Sequence, residues 1–234
     1  MSDPETIGLF EALYSTRALR RLKPDPIPED VLFQLLDAAI RAPSGQNAQD
    51  WRFVIITDAA VITKLGSWAA DGWSRYQPEF SEHPEKMNAL PRTQRLSLRS
   101  VEYLAQHLHE APAVILFCGR KGRHSSPGGS TFPAVQNLLL AARALGLGAS
   151  IFNLPLTHAP ELIEELGIPE DNQLYCLVPV GYPLDKHGSV RRKPVAKVAF
   201  WNRWGQAWDY AEQQPPEDLQ EKWLSKGVAD GSER

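Results

Sequence analysis

Three short stretches concentrate groups able to bind an anion: STRALRR at residues 15–21, RAPSGQNAQDWRF at 41–53 and RRK at 191–193. Arginine carries a permanent charge and a planar fork of N–H donors, which matches the oxygens of a phosphate. Arg17 and Arg20 are three apart, so on a helix end they share a face. Arg191 and Arg192 stand far away in the chain. If the fold brings both pairs together, they form a site for one phosphate group; taken alone, each cluster also reads as a solvated charged face. The middle stretch joins an apolar helical pattern to a strand. A plain connection of that kind needs a glycine or proline and a few polar residues. This one carries Pro43, Ser44, Gly45, Gln46, Asn47 and Gln49 ahead of Trp51, a density of amides that asks for a reason.

Other chemistries find less support. GLGAS lacks the third glycine of a dinucleotide fingerprint and leads from helix to strand, the reverse of the required order. The glycine-rich loop 119–130 is not a P-loop, although Lys121 and Arg123 could meet an anionic ligand. His107 and His109, two apart on a predicted helix, face different sides, and no histidine or cysteine spacing suits a metal. No G-x-S-x-G elbow is present. Cys118 and Cys176 each fall inside an apolar strand-like run and read as buried core thiols in a reducing, cytoplasmic setting.

The elements that must position these clusters follow from periodicity. Residues 7–22 repeat at helical spacing, with Ile7, Phe10 and Leu13 on one face, before KPDPIP breaks the helix. EDVLFQLLDAAIRAP is an amphipathic helix with Val31, Leu32, Leu35, Leu36, Ala39 and Ile40 on its buried face, stopped by Pro43. WRFVIIT, AVILFC and QLYCLVPVGYP predict three buried strands, and SIFN a short fourth. TFPAVQNLLLAARALGLGAS is apolar almost all round, which predicts a helix buried in the middle of the fold and ended by Gly146 and Gly148. Residues 66–92 mix aromatics with charges and prolines and predict an irregular helical excursion outside the core. Strands and long helices mixed without a strict βαβ rhythm point to an α+β domain over 1–214, followed by a polar tail at 215–234.

Composition narrows the class. The chain has 234 residues, 43% hydrophobic and 23% charged, with a net charge of −3, which gives no bulk electrostatic case for nucleic acid or an anionic membrane. No apolar run approaches the ~20 residues of a membrane-spanning helix. The opening MSDPETIGLF lacks a basic segment followed by an apolar one, so no secretory signal is expected. Seven tryptophans supply large flat surfaces for covering a core, a ligand or a partner.

TRALRRLKPDPIPEDVLFQLLDAAIRAPSGQNAQDWRFVIITD closely resembles the N-terminal signature of the nitroreductase family of flavin enzymes. That signature is an R-S-x-R-x-F-like helix end, then P-[IV]-P, a helix, A-P-S-x-x-N-x-Q-P-W and a strand. PAVQNLLLAARALGLGAS resembles the family's central buried helix, LVPVGYP the strand before its C-terminal segment, and RRKPVAKVAFWNRWG that segment. Four pieces in the right order, over roughly residues 7–205, make the resemblance specific.

The resemblance implies a nitroreductase-like fold: a central mixed β-sheet flanked by helices, with a buried central helix, in an intertwined homodimer with FMN at the subunit interface. It implies that Arg17 and Arg20 hold FMN with the Ala18 backbone between them. Arg20 would lie near the pyrimidine side, and Arg192, with Arg191, near the phosphate. Pro43, Ser44, Gly45 and Asn47 would reach in from the partner, Gln136 and Asn137 would begin the central helix near the site, and Phe152 and Asn153 would pass the ring edge. A turn facing a flavin needs glycine for close approach and amides for its many acceptors, which accounts for the 43–49 stretch. The implied chemistry is hydride transfer from NADH or NADPH through the flavin to a small-molecule acceptor in ping-pong order, with no catalytic side chain and with Arg20 as electrostatic support. Relatives in the same class carry out reductive dehalogenation or oxidative chemistry, and a flavin-binding protein without turnover is a further alternative.

Residues 66–92, with Trp68, Trp73, Tyr76 and Phe80, would cover the ring and select the acceptor, or else fold on their own core. Trp201–Trp208 would form an arm on the partner, or pack within the chain. The sequence departs from the family pattern at Thr16, Ala18, Asp50 and Phe152–Asn153. The first two bear on how phosphate is held and the last on flavin reactivity.

Overall fold

The protein is described by a computed structural model covering residues 7–121 and 128–213. The expected tail at 215–234, and Arg123 of the 119–130 loop, lie outside the described residues. The chain divides into two compact units, one of Ala18–Asp185 and the other of the flanking segments up to Arg17 and from Lys186 onward.

The larger unit is built on one sheet. β1 (Trp51–Ile56), β2 (Ala113–Arg120), β3 (Gly148–Ala149) and β4 (Asn172–Gly181) lie in the order β1-β2-β4-β3, each antiparallel to its neighbours. A parallel bridge, Ala18↔Ala149, gives the sheet its mixed character. Successive strand residues face opposite sides, and the central strands divide two cores accordingly. Ala113, Ile115, Phe117, Cys176, Val178 and Val180 face one, and Val114, Leu116, Cys118 and Leu177 the other. Burial on both faces explains the unbroken apolar runs of the two strands. β1 lies at an edge; Trp51 and Ile56 are buried but Ile55 is 44% exposed, so the expectation of a buried strand holds only in part.

Helices cover both faces. α2 (Glu29–Ala39) and α6 (Thr131–Ala144) close one core with Leu32, Leu35 and Ala39 and with Ala134, Val135, Leu138 and Ala142. α3 (Ala59–Tyr76), α5 (Arg92–His107) and α7 (Ala159–Glu165) close the other with Ile62, Leu65, Ala69, Trp73, Leu104, Ala105 and Leu162. Gly146, at φ +73°, ends α6 in the left-handed conformation that glycine tolerates.

Several expectations are corrected. The N-terminal helix, α1 (Leu9–Ser15), stops early. The chain beyond it is extended, because Ala18 pairs with Ala149 and Leu22 with Pro183; the spacing of Arg17 and Arg20 therefore no longer places them on one helix face. Residues 66–92 are not outside the core: α3 is one regular helix, and Trp73 and Met87 are 3% and 0% exposed. The short α4 (Pro78–Glu82) and a 3₁₀ turn at Pro84–Ala89 complete this region. SIFN is not a strand beyond Ala149, although the Phe152 amide donates to the Leu177 carbonyl at 2.8 Å. His107 ends α5, so its ring stacks with that of His109, centroids 6.3 Å apart. Both cysteines are buried as expected, and burial pushes the Cys118 thiol up to about 11 and the Cys176 thiol to about 12.

In the smaller unit, the Val190 amide donates to the Tyr14 carbonyl at 3.2 Å. Its C-terminal part has a 3₁₀ turn at Val195–Lys197 and the single-turn α8 (Asp209–Glu212). Among its aromatics Trp201 and Trp208 stack, while Phe200–Trp204 and Trp208–Tyr210 are tilted pairs, and Trp204 is 91% exposed. Among the described residues, no helix is long and apolar enough to cross a membrane.

One contact fixes α3 against the segment that leads to α7. A Cβ added at Gly72 would lie 2.4 Å from the Leu154 carbonyl oxygen, so only glycine lets the helix seat here. Nearby, the His158 Nε2–H donates to Asp71 Oδ2 at 2.7 Å, and Arg75 Nε lies 2.7 Å from the same oxygen. Glu161 lies 3.5 Å from His158 Nδ1, and Trp68 stacks on the imidazole. The His158 hydrogen bond, aided by Arg75, holds the Asp71 carboxyl below its usual range. A depressed pKa contributes stability that is present above the unfolded value of about 4 and is lost as pH falls through the folded one.

Two outcomes follow. Gly72→Ala should destabilise the fold by about 1–3 kcal/mol through overpacking, despite alanine's better helix propensity, in a denaturant titration. Asp71→Asn should melt below the parent at pH 6, and the gap should close as the pH is lowered to about 2; a gap independent of pH would show that the Asp71 charge is not involved.

Candidate functional site

The extended segment after Arg17 carries Arg20 into the larger unit. Its backbone is stitched at both ends, by Ala18↔Ala149 and by Leu22↔Pro183, and the Lys23 amide donates to the Tyr182 carbonyl at 2.7 Å. Leu19 is buried. Arg20 follows it, half-buried, and its Nη1 donates to Ser100 Oγ on α5 at 3.3 Å. Among the described residues that is its one hydrogen bond, and its Nε is closed from solvent without a partner. Burial pulls the guanidinium pKa down. A charge taken from water without an acidic partner is costly, and a bound acceptor or anion offsets that cost.

The Ala18↔Ala149 bridge sets this segment alongside the residues that lead into Phe152 and Asn153. Phe152 is buried in the core beneath α3, and the Asn153 Oδ1 accepts from the Leu177 amide at 3.4 Å. Ala18 is exposed. The bridge thus sets Ala18, two residues before Arg20, beside Ala149, three and four residues before Phe152 and Asn153.

A second group surrounds the 43–49 turn. Gln46, Asn47 and Gln49 have φ of 53°, 54° and 49°, so the left-handed conformations fall on side-chain-bearing residues and not on Gly45. Asparagine tolerates this region; each such residue otherwise costs ~1–2 kcal/mol. Strain of this kind gathers where geometry serves a ligand. Ser44 Oγ accepts from the Gln49 amide at 3.1 Å, and Gln49 Nε2 donates to Asn47 Oδ1 at 3.1 Å. The Gly45 amide donates to Ser130 Oγ at 3.2 Å, which ties the turn to the start of α6, while Asn137 Nδ2 donates to the Ala38 carbonyl at 3.2 Å. Pro43, Gly45, Asn47 and Gln136 are all exposed, so this corner is open to a ligand or a partner.

Arg17, Arg191 and Arg192 belong to the smaller unit, where all three are exposed. Arg192 Nη1 donates to the Arg191 carbonyl at 2.9 Å. Of the four expected cover aromatics, Trp73 is core, Phe80 packs partly buried against the same cluster, and Trp68 lies between His158 and Lys64. Tyr76, at 66% exposed, is the open one. Sequence reasoning missed Ser100 and Ser130. Ser130, just before α6, carries a recognisable helix-start signal. Ser100 carries none, since only folding brings it to Arg20.

The profile of the Nitroreductase family matches residues 13–182. A protein of Thermus thermophilus named NADH dehydrogenase is 30% identical over 203 residues, 81% of this chain and 94% of that one. Iodotyrosine deiodinase 1 of Rattus norvegicus is 29% identical over 189 residues, 74% of this chain; the match spans 61% of that relative's length. Among solved structures, iodotyrosine deiodinase bound to FMN and 3-iodo-L-tyrosine shares the fold with a TM-score of 0.63 at 28% identity, covering 84% of this chain and 100% of that one. With a match over most of its length and the expected order of helices and strands, this chain belongs to the nitroreductase family.

Proposed function

We propose that this protein is an FMN-dependent oxidoreductase that takes electrons from NADH or NADPH and reduces a nitroaromatic, a quinone or a related small-molecule acceptor. The observation that carries this reading is Arg20: a half-buried guanidinium with a solvent-closed Nε and no acidic partner among the described residues. The chemistry FMN supplies when bound is hydride transfer, from nicotinamide in one half-reaction and to the acceptor in the other.

The chain's own residues have simpler tasks. Arg20 offers positive charge to the pyrimidine side, where negative charge grows on reduction. Asn153 and the backbone at Phe152 orient the ring edge. The 43–49 turn, with Pro43, Ser44, Gly45 and Asn47, offers donors to a ring or ribityl chain; in a homodimer these would be the partner's, with Gln136 close behind. In the smaller unit, Arg17, Arg191 and Arg192 are proposed phosphate ligands, suited by permanent charge and forked geometry. Tyr76 is the proposed acceptor contact, since Trp73 is occupied in the core and Phe80 and Trp68 are partly so.

The similarity to iodotyrosine deiodinases favours a second reading, reductive dehalogenation on the same cofactor. Anaerobically reduced protein offered 3-iodotyrosine, a quinone and a nitroaromatic separates the two by which compound reoxidises it. Stable flavin that neither NADH nor NADPH reduces, and that no acceptor reoxidises, would favour a binding protein without turnover.

The purified protein should be yellow, elute as a dimer, and bleach on anaerobic addition of NADH or NADPH; a colourless protein that ignores added FMN would defeat the proposal. Arg20→Ala should weaken FMN binding by about 10- to 100-fold, the range for a hydrogen bond to a charged group, and lower the flavin midpoint potential. Parental affinity and potential in that variant would remove Arg20 from the site.

A further inference from the structure

Among the described residues Arg20 has no acidic partner to hold its long side chain in one orientation. α5 supplies the restraint. Ser100 and Tyr103 are one helical turn apart and therefore share a face. Ser100 Oγ takes the Arg20 Nη1 hydrogen bond at 3.3 Å, and the Arg21 guanidinium carbon lies 4.9 Å from the centroid of the Tyr103 ring. The ring is stacked in turn by His107, with centroids 4.0 Å apart and planes within 7°. His107 Nδ1 lies 2.8 Å from the Tyr103 carbonyl oxygen, which steadies that stack from within the same helix. Two consecutive arginines are thus gripped by successive positions of one helix face, while the backbone on either side is pinned by the bridges at Ala18 and Leu22.

The choice of atom matters. With Nη1 committed to a neutral hydroxyl and Nε enclosed by protein, Nη2 remains as the donor open to a ligand. Serine leaves the guanidinium charge uncompensated; an aspartate at this place would neutralise it. An acceptor that gains negative charge, such as the pyrimidine carbonyl edge of a flavin, suits a charged donor of this kind.

We infer that Ser100, supported by the Tyr103–Arg21 stack, is a positioning residue that turns the Nη2 end of Arg20 toward the cofactor without quenching its charge. This rests on the flavin reading of Arg20 given above. Ser100 does not itself touch the reacting atoms. It sets how much of the arginine's charge and donor geometry is delivered.

The test compares Ser100→Ala, Ser100→Thr and Ser100→Asp in the full-length holoprotein, with Arg20→Ala as reference, reading the FMN dissociation constant, the midpoint potential and the melting temperature without FMN. Ser100→Ala should bind FMN about 3- to 10-fold more weakly, with a more negative potential and an unchanged apoprotein melting temperature. Ser100→Thr, which keeps the hydroxyl, should restore both flavin readouts, and Ser100→Asp should weaken binding beyond Ser100→Ala by pairing with the guanidinium. If Arg20→Ala disturbs the flavin but Ser100→Ala and Ser100→Asp leave affinity and potential at parental values, the positioning role is wrong and the flavin site stands. If Arg20→Ala leaves both readouts unchanged, the assignment of Arg20 fails and the inference with it. A melting-temperature loss in Ser100→Ala with unaltered flavin readouts would show a merely structural contact, and would also overturn it.

Discussion

The hydrogen bond from Arg20 to Ser100 joins an extended segment near the N-terminus to a helix eighty residues further along. It exists because the chain abandons its helix after Ser15 and runs beside Ala149 as part of the sheet. A helical continuation would have carried Arg20 round by 100° per residue and lost the pairing with Ala149 that sets this segment in place. The extended conformation instead buries Leu19 and draws the next side chain in far enough to close its Nε from water. In that setting a guanidinium whose one partner among the described residues is a neutral hydroxyl is an electrostatic demand, and the rest of the site can be understood as the means of keeping that demand in place.

Two packing decisions make this possible. The central strands alternate between two cores, so helices are needed on both faces; α5 lies on the face where it can meet Arg20, and α2 and α6 lie on the other. The seating of α3 on the Leu154 backbone at Gly72, with His158 clasped by Asp71, then fixes the segment that begins at Phe152 and Asn153. Residues that touch no ligand thus hold the ones proposed to do so.

The 43–49 turn shows a different economy. Its strain falls on three residues with side chains, while Gly45 keeps an ordinary conformation. Glycine there would have relieved the backbone and removed the amide side chains that the turn displays. Hydrogen bonds to Ser44 and Ser130 keep the loop in this form.

Much of the architecture was legible in the residues. Apolar runs marked β1, β2 and β4, helical periodicity marked α2, α5 and α6, and the ordered motifs marked the nitroreductase family, because local patterns of burial and turn chemistry are written at fixed spacing. The clusters around Arg20 and the 43–49 turn were visible for the same reason. Contacts between distant residues were not. That residues 16–22 are extended, that Trp73 is core and Tyr76 open, that His107 and His109 stack, and that Ser100 meets Arg20 were decided by tertiary packing. Each depends on which surfaces meet after folding, where sheet pairing and burial outweigh the weak local preference of the chain.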